Sequence, residues 1–536
     1  MGRVMPVSAG ETGGRSAKIW VLESVALLFI LAVAGYLRFT NLQSNPGWYS
    51  DEGTLADIAR HVNEGEVQYL AINRSTLLAA RLPLAPLLAS AFIPLGASPL
   101  ETLRVLAATS GVLTAGLVFL LTRRVTGSLG LGLLSGGLLA IYPPAVFYSR
   151  IGFSYNLLGP LVLLALGGLW FYLDQGSRVG LAIAALAIGV GSLVDLMMIS
   201  LAGPLTVVVF VKRRRDLAIG MPLFMAPGLL YAAWMLLRAP DAFWFDLRYI
   251  ASRLSAIPWW AQLPLVIYNF GTLMLTDPWW APALIGLLLA RPRRWRLLQL
   301  AMFLLPLILL GRSSGLAGLR LYSISPLFPF IGLGTANLLW IGVPWILAIA
   351  REAIAHQLRK IRWCTIEGAG TWVNKRLTAL GSAGLLFLVV LSPIIVSTFE
   401  LVTRVRTDFK PENGWAYLPV EQAMRAAALV NRSMGADEFV VASPALAWAL
   451  EPQTADFQQS LAYRGEPSLD YPPDVPLDRF EFEADYEQAG MAVVDSIWRE
   501  WAAVHLIGVS EMLRQIEMWP VLWEEGEIRV HQNPSR

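Results

Sequence analysis

Apolar runs of 15 to 20 residues recur along the first three quarters of this 536-residue chain, and no other feature restricts its fold as strongly. A helix of that length reaches across the hydrocarbon core of a bilayer, so repeated runs point to a polytopic membrane protein. Composition agrees: 55 % of residues are hydrophobic and 15 % charged, against about a quarter charged in soluble domains. Disordered, fibrous and small secreted classes are excluded, and a single cysteine, Cys364, excludes a disulfide framework. The net charge of +3 conceals a division near residue 403. The chain carries 31 Lys+Arg against 17 Asp+Glu before that point (+14) and 11 against 22 after it (−11).

Basic clusters orient the spans, because Lys and Arg concentrate on the cytoplasmic side. Arg3, Arg15 and Lys18 precede the first run, so residues 1–18 are expected as a cytoplasmic tail and the run as an uncleaved first span. Keeping Arg123-Arg124, Arg178, Lys212 to Arg215, Arg291 to Arg296 and Arg351 to Arg376 inside predicts about eleven spans. They are 19–37, 103–122, 128–145, 157–173, 180–195, 197–211, 217–237, 278–290, 297–311, 321–349 and 377–398. Two further apolar stretches, 82–97 and 262–276, break the parity and are expected along the outer interface or as re-entrant segments. Gly132 and Gly136 have the spacing that lets membrane helices approach closely.

After Ser397 the pattern changes. A stem leads into an acidic segment in which DEFVVAS reads as a strand, Met491 to Ala503 as an amphipathic helix, and GEIRVHQN as a closing strand. An odd number of spans puts this α/β domain, residues 401–536, outside the cytoplasm. The fold class expected is therefore mainly α: a transmembrane helical bundle over 19–400, with a long first outer loop at 38–102, and a C-terminal extracytoplasmic α/β domain. Nucleic-acid binding is set aside, since the basic clusters are short topology signals.

Polar residues gather at the outer membrane ends. Asp51 and Glu52 follow Trp48-Tyr49 and open a helix-like run. Such a pair suits a base for deprotonating an acceptor, with a substrate or metal ligand beside it; it equally suits a helix cap and first-turn acid. Arg81, Arg104, Arg150 and Arg320 stand isolated among apolar and aromatic residues on the side where the orientation rule disfavours them. A guanidinium is a forked donor matched to phosphate, and it also snorkels to lipid headgroups. Asp57, His61 and Glu64 share one helical face, read as solvated rather than as a metal site, and Asp195 reads as a turn residue. His505 and His531 have no evident partners in the sequence.

The order of these features resembles the GT-C class of polytopic glycosyltransferases, in the branch of protein O-mannosyltransferases and lipid A aminoarabinose transferases. The resemblance covers residues 19 to 350. It rests on Asp51-Glu52 in the first outer loop, RLPL at Arg81 to Leu84, Arg104 opening the second span, Pro143 to Arg150 with its YSR ending, and Arg320, Tyr322, Pro326 and Pro329 before a late span. The chain departs from the pattern in having Arg rather than Lys at 81, Asn156 where members often carry Asp, and Arg-Leu-Tyr for Arg-Tyr.

What the resemblance implies is a hexosyl or pentosyl transferase in the plasma (inner) membrane, moving a sugar from a polyprenyl-phosphate donor to a lipid, glycan or protein acceptor on the extracytoplasmic face. Asp51 would be the general base. Glu52 would position the acceptor or hold a divalent metal, although no metal or other cofactor is required. Arg150, Arg320 and Arg81 would hold the donor phosphate with Tyr322, and Arg104 and Asn156 would support the site. One base and a single displacement imply inversion at the anomeric carbon. The alternatives are a transporter or lipid flippase, and a non-catalytic scaffold presenting the outer domain.

Overall fold

A computed structural model describes residues 9–74, 82–255, 259–311, 323–342, 352, 392–409 and 414–536. The chain is mostly helical, with a sheet near its C-terminus. Its helices are α1 Ala9–Phe39, α2 Ser50–Asn63, α3 Leu84–Ser90, α4 Pro99–Thr126, α5 Leu129–Ile141, α6 Pro143–Tyr148, α7 Leu158–Gln175, α8 Arg178–Gly191, α9 Ala202–Arg213 and α10 Leu217–Arg238. There follow α11 Pro240–Ser255, α12 Trp259–Thr276, α13 Trp280–Leu289, α14 Arg293–Gly311, α15 Phe328–Asn337, α16 Ser392–Arg406, α17 Val420–Ser433, α18 Pro444–Ala447, α19 Phe457–Tyr463, α20 Ala503–His505 and α21 Ile507–Ile516.

Among the described residues four helical runs are long and apolar enough to cross a membrane: Ile19–Phe39, Pro99–Thr126, Ser154–Gln175 and the 43-residue Leu196–Arg238. That last run contains two of the expected spans. α5 and α8 are shorter apolar helices of 13 and 14 residues. The stretch 262–276, expected at the interface, runs into the apolar helix after it: Gln262–Thr276 and Trp280–Leu289 form a pair bent by 106°. The second proposed interfacial stretch becomes α3 and a short 3-10 turn at Ile93–Leu95. Of the expected span 321–349, residues 323–342 are described and hold α15 with a short π-helix, Leu338–Gly342, while most of 377–398 lies outside the described residues. The glycine reading matches the packing of α5 on α4, since a Cβ on Gly136 would stand 2.9 Å from the Phe119 Cβ and 3.0 Å from the Ala115 carbonyl oxygen.

The C-terminal domain is built on a five-stranded sheet of order β4-β3-β5-β7-β6, with β3 Phe439–Ala442, β4 Gln453–Asp456, β5 Met491–Val494, β6 Val521–Glu525 and β7 Ile528–Gln532. β3 is parallel to both β4 and β5, while β7 runs antiparallel to β5 and β6. The helix expected from Met491 to Ala503 forms only in its second half: Met491–Val494 is a central strand, and Ile497–Ala502 is a π-helix that runs into the single turn of α20, Ala503–His505. Met-Ala-Val-Val is a short continuous apolar run, and such a run fits a strand buried on both faces as well as a helix. All four residues are buried. The strands expected at DEFVVAS and GEIRVHQN are β3 and β7.

The loop that follows α1 does not stand free beside this domain. β1 (Trp48–Tyr49) pairs antiparallel with β2 (Tyr417–Leu418). α2 then lies across the carboxyl ends of the parallel strands, the edge where open α/β sheets commonly take ligands. Gly53 meets the Pro444 carbonyl so closely that any side chain would collide with it. A buried ion pair, Arg479 to Asp246 at 3.2 Å, ties the domain to α11 as well.

Candidate active site

Asp51 and Glu52 occupy the first turn of α2, where carboxylates are favoured by the helix dipole. They have different surroundings. Asp51 is half-buried, whereas Glu52 is sealed from solvent. Glu52 Oε1 accepts from the Tyr49 amide at 3.0 Å, which is the cap interaction, and from Arg104 Nη2. Its Oε2 accepts from Arg104 Nε at 3.0 Å and from the Gly152 amide at 2.8 Å. A bidentate pair with two further amide donors leaves this carboxylate no capacity for an acceptor or a metal.

Arg104 and Arg150 are sealed too. Beyond Glu52, Arg104 donates to the carbonyls of Leu42, Gln43, Pro46 and Gly47 at 2.8 to 3.1 Å. Arg150 donates Nε to Asn45 O at 3.1 Å, Nη1 to Leu37 O (2.9 Å) and Arg38 O (3.3 Å), and Nη2 to Thr40 O (2.6 Å) and Asn45 O (2.7 Å). Its guanidinium also lies 5.5 Å from the Phe409 ring centre. A guanidinium has five N–H groups, and all five are engaged, so the donor-phosphate role expected for Arg150 does not fit this arrangement. Both arginines instead fold residues 37–47 into the platform that presents Asp51. Asn156 works locally, donating to the Tyr148 and Ile151 carbonyls at 2.9 Å each. Arg81, Arg320 and Tyr322 lie outside the described residues.

The face of α2 read as solvated is partly a buried contact. Asp57 is 1 % exposed and accepts from Arg60 at 2.8 Å and from the Leu70 amide at 2.7 Å, with His61 Nδ1 at 3.3 Å. Burial opposes the Asp57 charge, but His61, Arg60 and the amide outweigh it and hold the carboxyl below its ordinary range. Burial likewise opposes protonation of His61, and Asp57 overrides it to raise the imidazole. The sequence face was polar for internal pairing rather than for water. No group of three or more metal-ligating side chains occurs among the described residues. Asp195 caps the 3-10 turn after α8 through the Met197 amide at 2.7 Å. His531 is buried, with Nδ1 3.2 Å from the Trp519 carbonyl.

Above α2, Tyr69 donates to Asp456 Oδ2 at 2.8 Å, and Asp456 caps the following helix through the Gln458 and Gln459 amides at 2.8 Å each. Ser443 donates to Asp495, whose other oxygen accepts from the Ile497 amide at 2.9 Å. Burial pushes both Asp456 and Asp495 up to about 6 against these hydrogen bonds.

Sequence reasoning passed over Asp277. It stands at the 106° break between α12 and α13, accepting from the Tyr142 hydroxyl and from the Trp279 amide at 3.0 Å, while Trp280 Nε1 donates to Tyr142 at 3.1 Å. The available signal was an acid in TDPWW, inside a long apolar run.

Two open spaces border this assembly. A largely apolar groove of about 240 Å³ is lined by Pro143, Pro144, Phe147 and Tyr148 of α6 and by Leu401 and Phe409, with Ser397, Glu400 and Arg404 of α16 along one side. A polar cleft of about 260 Å³ is lined by Glu66, Gln68, Asn73, Arg74, Arg238 and Glu481.

No protein-family model and no curated protein sequence matches the chain. Solved structures do match in fold, and they are GT-C glycosyltransferases, so the chain has the GT-C fold. Two are crystal structures of ArnT from Cupriavidus metallidurans, one bound to undecaprenyl phosphate and one in the apo state, each with a TM-score of 0.61. They are 15 % and 17 % identical to this chain, cover 94 % and 97 % of it, and are themselves covered over 97 % and 98 % of their length. The oligosaccharyltransferase of Archaeoglobus fulgidus in the apo form matches with a TM-score of 0.52 and 13 % identity, over 89 % of this chain and 70 % of its own.

Proposed function

We propose that this protein is a membrane glycosyltransferase that takes a sugar from a polyprenyl-phosphate donor on the extracytoplasmic face. The observation that carries the reading is the placement of Asp51: a carboxylate at a helix N-terminus, on a platform fixed by Glu52, Arg104 and Arg150, within a fold shared almost end to end with ArnT. The undecaprenyl phosphate in one ArnT crystal supports a lipid-linked donor.

In the reaction we infer, Asp51 takes the proton from the acceptor nucleophile as the nucleophile bonds to the anomeric carbon. The bond from that carbon to the phosphate oxygen breaks, and polyprenyl phosphate departs with the electron pair. Arg81, Arg320 and Tyr322 are the residues assigned to that phosphate by resemblance, and positive charge there stabilises the leaving group. Glu52, Arg104 and Arg150 are positioning residues in this scheme. The apolar groove beside α6 suits the donor's hydrocarbon chain, and the polar cleft suits sugar or acceptor. Eleven spans, a cytoplasmic N-terminus and an external C-terminal domain complete the proposal. Hexosyl and pentosyl donors both remain within it.

The test is release of carrier from a labelled polyprenyl-phosphate sugar by purified protein, wild type against Asp51→Asn. Loss of a general base is expected to slow transfer by about 10²- to 10⁴-fold with the unfolding midpoint unchanged. Full activity in Asp51→Asn would remove the assigned base. Product carrying the donor's anomeric configuration would reject the single displacement. Carrier release by no donor at all would favour a transporter or flippase on the same fold.

A further inference from the structure

Arg38, at the end of α1, is a buried cation that the proposed reaction does not use. It is 1 % exposed. Its Nη1 donates to the Ala34 and Ala140 carbonyls at 3.3 and 3.0 Å, but its Nε has no hydrogen-bond partner, and it forms no ion pair among the described residues. Nearby Arg150 adds like charge. Of the three buried arginines in this region, Arg38, Arg104 and Arg150, only Arg104 has a carboxylate partner among the described ion pairs.

Arg38 lines a cavity of about 30 Å³ together with Thr114, Ser149, Asn156, Ser325 and Pro329. Among the described residues no carboxylate lines it. Ser325 is buried, and its hydroxyl is a second polar atom without a partner. Two orphaned donors on one small cavity are not an ordinary packing outcome, because buried polar groups are almost always hydrogen-bonded, and exceptions commonly mark an unseen water or ion. The volume exceeds the roughly 10–15 Å³ that one water needs. It is also enough for one small anion. Water would satisfy the donors and leave the charge standing; an anion satisfies both, and burying an unpaired cation is the larger cost.

We propose that this cavity is a binding site for a single anionic acceptor, held by Arg38 Nε and the Ser325 hydroxyl. Two sources share that chemistry: a small free anion such as chloride, or one oxygen of a lipid-linked phosphate entering past Ser325 and Pro329. The second source deepens the transferase reading. The first is independent of it, so the site stands or falls without any transfer being observed.

The experiment measures the unfolding midpoint of the full-length protein in detergent at constant ionic strength. Sodium gluconate, too large for the cavity, is the reference; the probes are sodium chloride and, separately, undecaprenyl phosphate in gluconate. A rise of about 2 °C is expected with at least one probe when it is well above its dissociation constant. A rise with chloride identifies a free anion, and a rise with undecaprenyl phosphate alone identifies the lipid phosphate. Ser325→Ala removes a hydroxyl that bonds nothing in the protein, so it should keep the gluconate midpoint and lose at least half of the rise. Arg38→Gln should lose all of it, and if that variant does not fold, Ser325→Ala carries the test. Equal midpoints in all three solutions, as for a cavity holding only water, would overturn the proposal. So would a rise of the same size in Ser325→Ala, since the anion would then bind elsewhere.

Discussion

The helix that carries Asp51 is gripped from two sides by unlike chemistry. Below it, Glu52, Arg104 and Arg150 form a sealed network of charge and main-chain carbonyls. Above it, Gly53 meets Pro444 and Thr54 bonds the Tyr69 hydroxyl, and behind these contacts lie Asp456 and Asp495, acids that burial raises to about 6. A guanidinium keeps its charge at any physiological pH, whereas acids raised to about 6 change state a little below neutral pH. The lower contact is thus a fixed anchor, and the upper one is adjustable. Glu52 and Asp51 are neighbours in sequence, yet only Glu52 belongs to the anchor.

The sharpest way to break this contrast is Glu52→Gln. Removing one partner of a buried ion pair leaves Arg104 uncompensated and is expected to cost about 3–5 kcal/mol, read as a large fall in the unfolding midpoint. Arg104→Met added to Glu52→Gln should recover part of that loss. An unchanged midpoint in the single variant would mean that the network does not anchor the loop.

A smaller effect is expected at the upper contact from Gly53→Ala, whose methyl would collide with the Pro444 carbonyl. Overpacking of this kind costs about 1–3 kcal/mol. Because α2 must shift to relieve the collision, transfer activity should fall along with the midpoint. A variant as stable and active as wild type would show that α2 is not held against the sheet.

The smallest effect separates the two contacts by pH. With folded values near 6 against an ordinary 3.8, the native state holds more protons than the unfolded chain between those limits. Stability therefore rises as pH falls through 6. From pH 7 to pH 5 the gain is about 1 kcal/mol for each acid, and the raised His61 acts in the same direction. Asp456→Asn with Asp495→Asn should flatten that slope in unfolding measurements at the two pH values. A slope identical to wild type would place the titration elsewhere.

How far the sequence reached differs between these contacts. The arginines were conspicuous because they stood on the side where the orientation rule disfavours positive charge, and Asp51-Glu52 because two acids open a helix beside aromatic residues. What could not be read was which atoms they meet. Arg150 looks like a phosphate ligand in YSR, yet its donors go to carbonyls near residues 37–45, more than a hundred positions earlier. Asp57 and His61 look like a wetted face because Asp57's buried partner, the Leu70 amide, follows a turn that no periodicity marks. Asp277 drew no attention, since its partner Tyr142 lies 135 residues away.

The sequence by itself determined that this is a helical membrane protein with an acidic α/β domain after it, because hydropathy and charge are sums over neighbouring residues. It also picked out Asp51 and the group of outer arginines. Only the tertiary structure decided that Glu52 is an anchor, that Arg150 builds the loop, that the C-terminal domain lies on α2, and that Arg38 lines a small cavity with Ser325. Those facts depend on contacts between residues from tens to hundreds of positions apart, and a hydrogen bond is decided by distance in space.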